Sequence, residues 1–429
     1  MSDQHPTGSA TVGAARTPGT WGLRTDLLRH GAGHSSDKVG YVELFFDLVF
    51  VFAVTQLSHS LIAHPDVTTL VHTLILGAAV WYLWIDTTWV TNWLDPDRLP
   101  VRTMLMVLMA LGLLMSSAIP EAFGDKALLF AVPYVMIQVG RSAFAALALN
   151  RHWSENGAGF LRITAWVSVS GVLWVVGALV DDSARLALWA AAVLVDYAGP
   201  RAMFAVPFFG RTDPRTWTVR ADHMAERVGL FVIISLGESI IITGTAFAEL
   251  DVTGVTLLSF AAAFASTVLM WLLYFDRSER RATEFFARAD STTGMVAQTA
   301  YTYVPLLLVL GIVGTAVADE LVMLHPLGHA EHGAPHTDPW TAGLVCGAAA
   351  VYLLGNLLFR RATGGRWSLP HVAGIAALLV LAAAHDRMTP LALSWWSNGV
   401  LLAVIVGDVA LSRREAVPGT TGSEAGTDS

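Results

Sequence analysis

The sequence predicts an all-α fold: a polytopic transmembrane helix bundle of about twelve helices, built as two six-helix halves in parallel duplication. Three observations lead there. The 429 residues are 54% hydrophobic and only 14% charged, against about 25% charged in soluble domains. Apolar runs long enough for a bilayer, which takes about 20 residues, recur along the whole chain. The Lys and Arg residues alternate in step with those runs.

Residues 1–38 are rich in Gly, Ser, Thr and His and hold no apolar core. They read as a disordered tail and not as a signal peptide, which needs roughly 7–15 apolar residues in a row. The first half, residues 39–215, opens with a span at 41–63 that stops at the turn His64-Pro65-Asp66. A second span, 67–93, ends in Trp residues before Asp95-Pro96-Asp97. Such Pro and Asp clusters punctuate helices. Spans at 101–119, 126–149 and 159–180 follow, then Asp181-Asp182, then 185–206 and Asp213-Pro214. The second half, residues 216–411, holds spans at 223–248, 254–275, 296–318, 340–360, 369–386 and 390–411. Residues 412–429 make a second polar tail. Cys346 is the single cysteine, so no intrachain disulfide forms, and it reads as helix packing.

Arginine placement tests this count. Inward-facing loops collect Lys and Arg. With twelve spans and the N-terminus inside, 21 of the 26 Lys and Arg fall on the inner side. Lys126, Arg185 and Arg387 fall outside, and Arg141 and Arg227 within spans. A missed helix would scramble the alternation, so both termini are expected in the cytoplasm.

Short motifs repeat between the halves. Trp81 to Asp86 reads W-Y-L-W-I-D and Trp271 to Asp276 reads W-L-L-Y-F-D. Glu43 and Glu226 each open the first span of a half, and Thr55 and Glu238 stand twelve residues further on. Gly140-Arg141 parallels Gly355-Asn356. Their shared order supports a duplication, with a site between halves as transporters often have.

Residues 42–58, V-E-L-F-F-D-L-V-F-V-F-A-V-T-Q-L-S, resemble the opening signature of the bacterial low temperature requirement A (LtrA) family. Residues 220–244, with H-M-A-E-R and S-L-G-E-S, are similar to that family's second characteristic stretch. The resemblance covers residues 40–411 and implies a multi-pass protein of a bacterial inner membrane. The family's name reflects growth in the cold and implies no reaction.

The polar residues inside spans are the candidate site. A charge at the bilayer centre costs roughly 2.5–3.5 kcal/mol on insertion scales and marks function by default. Glu43 and Asp47 are four apart and share a helix face, with Asp47 about 9 Å deep. Such a pair titrates as a unit and binds a proton or cation. The other role open to it is structural, at a helix N-terminus with Arg from neighbouring helices. Arg141 is the expected partner, unless it snorkels to the interface. His223, Glu226 and Arg227 share a face at the mouth of the seventh span, as a proton relay or a stabilised helix start.

Glu238 lies about 18 Å beyond Glu226, near mid-membrane between Gly237 and Ser239. Small neighbours admit a close helix, and transporters place coupling sites there. A protonated Glu bridging two helices is the alternative. Gln56 and His59 reach similar depth and either complete that site or hold helices together. Asp86 and Asp276 close the repeated motif. Trp84, Trp89 and Trp93 beside Asp86 are expected as interfacial anchors, and Asp196 and Asp408 are weaker candidates.

The loop H-P-L-G-H-A-E-H-G-A-P-H carries His325, His329, His332 and His336. Imidazoles suit Zn or Cu, but a flexible polar loop is the default, and no cofactor is expected. No phosphate loop, HExxH, GxSxG or dinucleotide fingerprint is present, so an enzyme is not expected, nor a nucleic-acid partner. The leading expectation is a proton- or cation-coupled secondary transporter or exporter of a small molecule. The alternative is a lipid-handling or membrane-sensing protein that moves no substrate.

Overall fold

A computed structural model describes residues 27–29, 39–150, 155–213, 220–275, 293–328 and 336–415. Among them are twelve helices of fifteen residues or more. The first six are α1 Tyr41–Ala63, α2 Val67–Trp93, α3 Leu99–Ser117, α4 Ala127–Asn150, α5 Glu155–Ala178 and α6 Asp182–Arg201. Then come α7 Ala221–Ala248, α8 Gly254–Leu273, α9 Val304–Leu324, α10 Pro339–Ala362, α11 Leu369–Ala383 and α12 Pro390–Glu415. A short helix, Thr293–Gln298, and a π-helical turn, Thr299–Tyr303, lead into α9. Among the described residues no strand forms beyond two isolated bridges.

Ten helices are long and apolar enough to cross a membrane. The other two are α11, apolar but only 15 residues long, and α6, which carries Arg185, Asp196 and Arg201. The helix ends follow local chemistry. Asp66 accepts the Thr69 N–H at 2.9 Å, and Asp338, with Pro339 behind it, accepts the Thr341 N–H at 2.9 Å. Each cap serves one backbone donor that the first turn leaves unpaired. Several boundaries shift by a few residues, α6 ending at Arg201 and not at 206, and one shift matters for the charged residues. Hydropathy ends the ninth span at residue 318, yet α9 runs on to Leu324, so Asp319 and Glu320 lie inside it.

Neighbouring helices recur in order. In the first half α1 packs on α2 and α3, and then α3 on α4, α4 on α5, α5 on α6, and α6 on α2. In the second, α7 packs on α8 and α9, and then α9 on α10, α10 on α11, α11 on α12, and α12 on α8. Two large apolar cores result among the described residues, one around Trp81, Trp84, Trp174 and Trp189 and the other around Leu236, Met270, Tyr352 and Leu353, with a small third cluster at Ala246, Ala263 and Met323. The first six helices meet the last six where α1 and α2 pack on α7 and α9. Large apolar side chains such as Leu48, Val172, Leu194, Ile241, Leu258 and Val406 are exposed, as a lipid-facing surface requires.

Part of the N-terminal segment is fixed, against the expectation of a featureless tail. Arg29 N–H donates to Trp93 O at 3.0 Å, and Asp95 N–H to Leu27 O at 3.0 Å. The remainder of residues 1–38, and residues 416–429, lie outside the described residues.

Candidate functional site

The first turns of α1 and α7 meet in a buried charge network. Glu43 accepts from Arg29 at 3.2 Å and from Gly40 N–H at 2.9 Å, and its other oxygen lies 3.0 Å from His223 Nε2. Asp47 accepts from Arg227 at 2.7 Å and from the Trp84 indole at 2.8 Å. Glu43, Asp47 and His223 are wholly buried, and Arg227 nearly so. The two carboxylates are therefore each matched by a separate cationic or imidazole partner from α7. Four-residue spacing explains the match: Glu43 and Asp47 repeat down α1 as His223 and Arg227 do down α7, so two one-turn ladders align. Glu226 departs from the expected shared face. It is exposed and accepts from Val39 N–H at 3.3 Å.

Arg141 also departs from expectation. Its partner is Asp86, not Glu43 or Asp47, because α4 packs against α2. The same guanidinium donates to Gln138, to Thr87 Oγ1 at 2.9 Å and to Leu83 O at 3.0 Å. Gln138 donates to Tyr134 at 3.2 Å, and Tyr134 to Asp196 at 2.9 Å. A buried polar chain thus crosses α2, α4 and α6. Asp408 sits at the matching place on α12, accepting from Ser368 at 2.7 Å and from Arg360 at 3.3 Å. Trp84 is no interfacial anchor: it is fully buried as a hydrogen-bond donor to Asp47.

Glu238 behaves differently from these paired acids. It is buried, and its Oε1 has no hydrogen-bond partner. Thr55 and His59 of α1 are the polar side chains that act on it. Gln56 is half-buried beside Thr55. One residue on, Ser239 bonds Thr267 of α8 at 3.1 Å. Among the described residues no Lys or Arg pairs with Glu238 as Arg227 does with Asp47.

A small cavity of about 50 Å³ opens between α2, α5, the end of α6 and the π-helical turn before α9. Tyr82, Trp89, Trp93, Phe160 and Phe204 wall it, and Asp86 reaches its edge. Trp81 and Trp89 donate to Thr302 of the turn at 2.7 and 3.0 Å. Short π-helical turns are often found at functional sites, and ligand pockets share this aromatic lining.

Asp276, His329 and His332 lie outside the described residues. His325 caps α9, and His336 precedes α10. Among the described residues no group of three His, Cys, Asp or Glu is placed to hold a metal ion. Sequence reasoning missed Asp319, buried in α9 and accepting from Ser266 at 2.7 Å. The signal was present: a further apolar turn, Leu321 to Leu324, follows the acids.

The model of the family described as bacterial low temperature requirement A protein (LtrA) matches residues 38–406. A curated relative in Rhizobium meliloti (strain 1021), named as uncharacterized protein RA0937, is 37% identical over 383 residues. The match covers 88% of this chain and 91% of that one. No solved structure matches the chain.

Proposed function

The chain belongs to the bacterial low temperature requirement A family of membrane proteins, and we propose that it is a proton- or cation-coupled secondary transporter or exporter of a small molecule. In this reading it lies in the inner membrane with both termini cytoplasmic, as the arginine distribution favours. The observation that carries it is Glu238, a buried carboxylate at the α1–α7 contact between halves with an oxygen left unpaired. A group in that state has a role for a proton or cation that comes and goes. Glu43 and Asp47, each held by a basic partner on α7, form the frame that joins the halves, and Asp86 with Arg141 braces α2 against α4. The aromatic lining beside Asp86 offers a contact surface for a small amphiphile, since indole and phenol faces attract apolar and cationic groups. Recurrence of helix neighbours supports two six-helix units with a site between them.

The test uses purified protein in liposomes loaded with a pH-sensitive dye, with ethidium as aromatic-cation probe and a panel of neutral amphiphiles. Expected is probe-dependent proton or sodium movement that Glu238→Gln abolishes, while quenching of Trp fluorescence by the probe persists. No ion movement with any probe, together with redistribution of labelled lipid between leaflets, would replace this reading with lipid handling.

A further inference from the structure

We propose that Asp319 is the anionic ligand of a buried monovalent-cation site, sized for sodium, between α8, α9, α10 and α12. As the coupling-ion site it rests on the transport reading, but the binding itself is measurable without any substrate.

Six side chains bring oxygen to one enclosed space: Ser266 from α8, Thr315 and Asp319 from α9, and Ser394, Ser397 and Asn398 from α12. All six are at least nine-tenths buried. No Lys, Arg or His lines the space among the described residues. Asp319 therefore differs from Asp47 and Asp86, whose charges are met by arginine. An isolated carboxylate in such surroundings has to be neutralised. One negative charge among neutral oxygens is balanced by one positive charge, so a divalent ion is not the natural occupant.

Three details point to a ligand and not to plain packing. Thr315 Oγ1 is buried without a hydrogen-bond partner. The Ser266 hydroxyl has one hydrogen but two acceptors within reach, Ala263 O at 2.8 Å and Asp319 Oδ2 at 2.7 Å. When that hydrogen serves Ala263, the short contact between the two oxygens needs a positive charge beside it. Asn398 has its amide nitrogen bound to Ala262 O at 2.8 Å, which leaves its carbonyl oxygen as a donor to a cation. Hard cations take such oxygen sets. The free volume is about 10 Å³. That is room for about one water or one ion of similar size.

The experiment is thermal unfolding of the purified full-length protein at constant ionic strength, with sodium chloride exchanged for choline chloride, alongside equilibrium binding of radioactive sodium. Expected is a saturable, sodium-dependent rise in Tm and about one bound sodium. Asp319→Asn abolishes both, and Thr315→Val or Ser397→Ala raises the half-saturating concentration about tenfold, as loss of one bond to a charged group does. Glu238→Gln retains sodium binding. The same rise in Asp319→Asn, or a wild-type response that follows pH and ignores sodium, overturns the proposal in favour of packing or of a proton. Should Asp319→Asn not yield folded protein, an unchanged half-saturation in Thr315→Val overturns it. Sodium binding without ion movement in liposomes would sink the transport reading and leave this site standing.

Discussion

The Arg227 guanidinium of α7 lies 2.7 Å from the Asp47 carboxylate of α1, 180 residues away in sequence, with both groups sealed inside the protein. Removing one member leaves an uncompensated buried charge, which costs about 3–5 kcal/mol, whereas removing both often costs little. Asp47→Asn and Arg227→Met are each expected to destabilise by that amount, and the double variant to regain most of it. Unfolding in denaturant-containing micelles measures all three. Additive losses in the double variant would contradict a direct ion pair.

Trp84→Phe keeps an aromatic ring but deletes the N–H that Asp47 accepts at 2.8 Å, together with the volume of the five-membered ring. A hydrogen bond to a charged group contributes about 1.5–3 kcal/mol, so a loss of at least that size is expected in the same assay. In the Asp47→Asn background the cost of Trp84→Phe shrinks, because the acceptor is then neutral.

Glu238→Gln is expected to change stability by less than about 1 kcal/mol, since it breaks no matched ion pair. The contrast with Asp47→Asn separates a functional carboxylate from a structural one. A loss above about 3 kcal/mol would assign Glu238 to the frame.

Gly311 stands where α9 meets α10 almost backbone to backbone: a Cβ added there would lie 2.8 Å from Tyr352 Cβ and 2.9 Å from its backbone nitrogen. Gly311→Ala is expected to cost about 1–3 kcal/mol by overpacking. Gly343→Ala, with open space around it, serves as the control and is expected to be neutral or slightly stabilising.

Asp338 caps α10 outside the membrane-spanning segment. Partial burial pulls its carboxyl upward, but hydrogen bonds from Thr341 and from nearby backbone N–H groups outweigh that, so it titrates below the ordinary aspartate range. A depressed folded-state value means its contribution is fully present above the unfolded value of about 3.9 and fades as pH falls through the lower folded value. Asp338→Ala is expected to cost about 1 kcal/mol at neutral pH and nothing at strongly acidic pH. A cost that is independent of pH would rule out the charged cap.

The sequence by itself determined the helices and marked most of the charged groups. Both features are local. A bilayer demands about 20 apolar residues per crossing, and a charge within such a run stands out because it is costly. That is why Glu43, Asp47, Arg141, His223, Arg227 and Glu238 were all visible before any fold was known. Tertiary structure alone decided who meets whom. Arg141 meets Asp86 and not Asp47, because α4 packs on α2 while α7 packs on α1. Trp84 looks like an interfacial anchor by composition, yet helix rotation turns it inward onto Asp47. Asp319 was hidden by its own charge, which ended the apolar run on paper, while α9 continues for another turn and buries it. Rotation and neighbour choice depend on packing between residues far apart in the chain, and no local pattern encodes them.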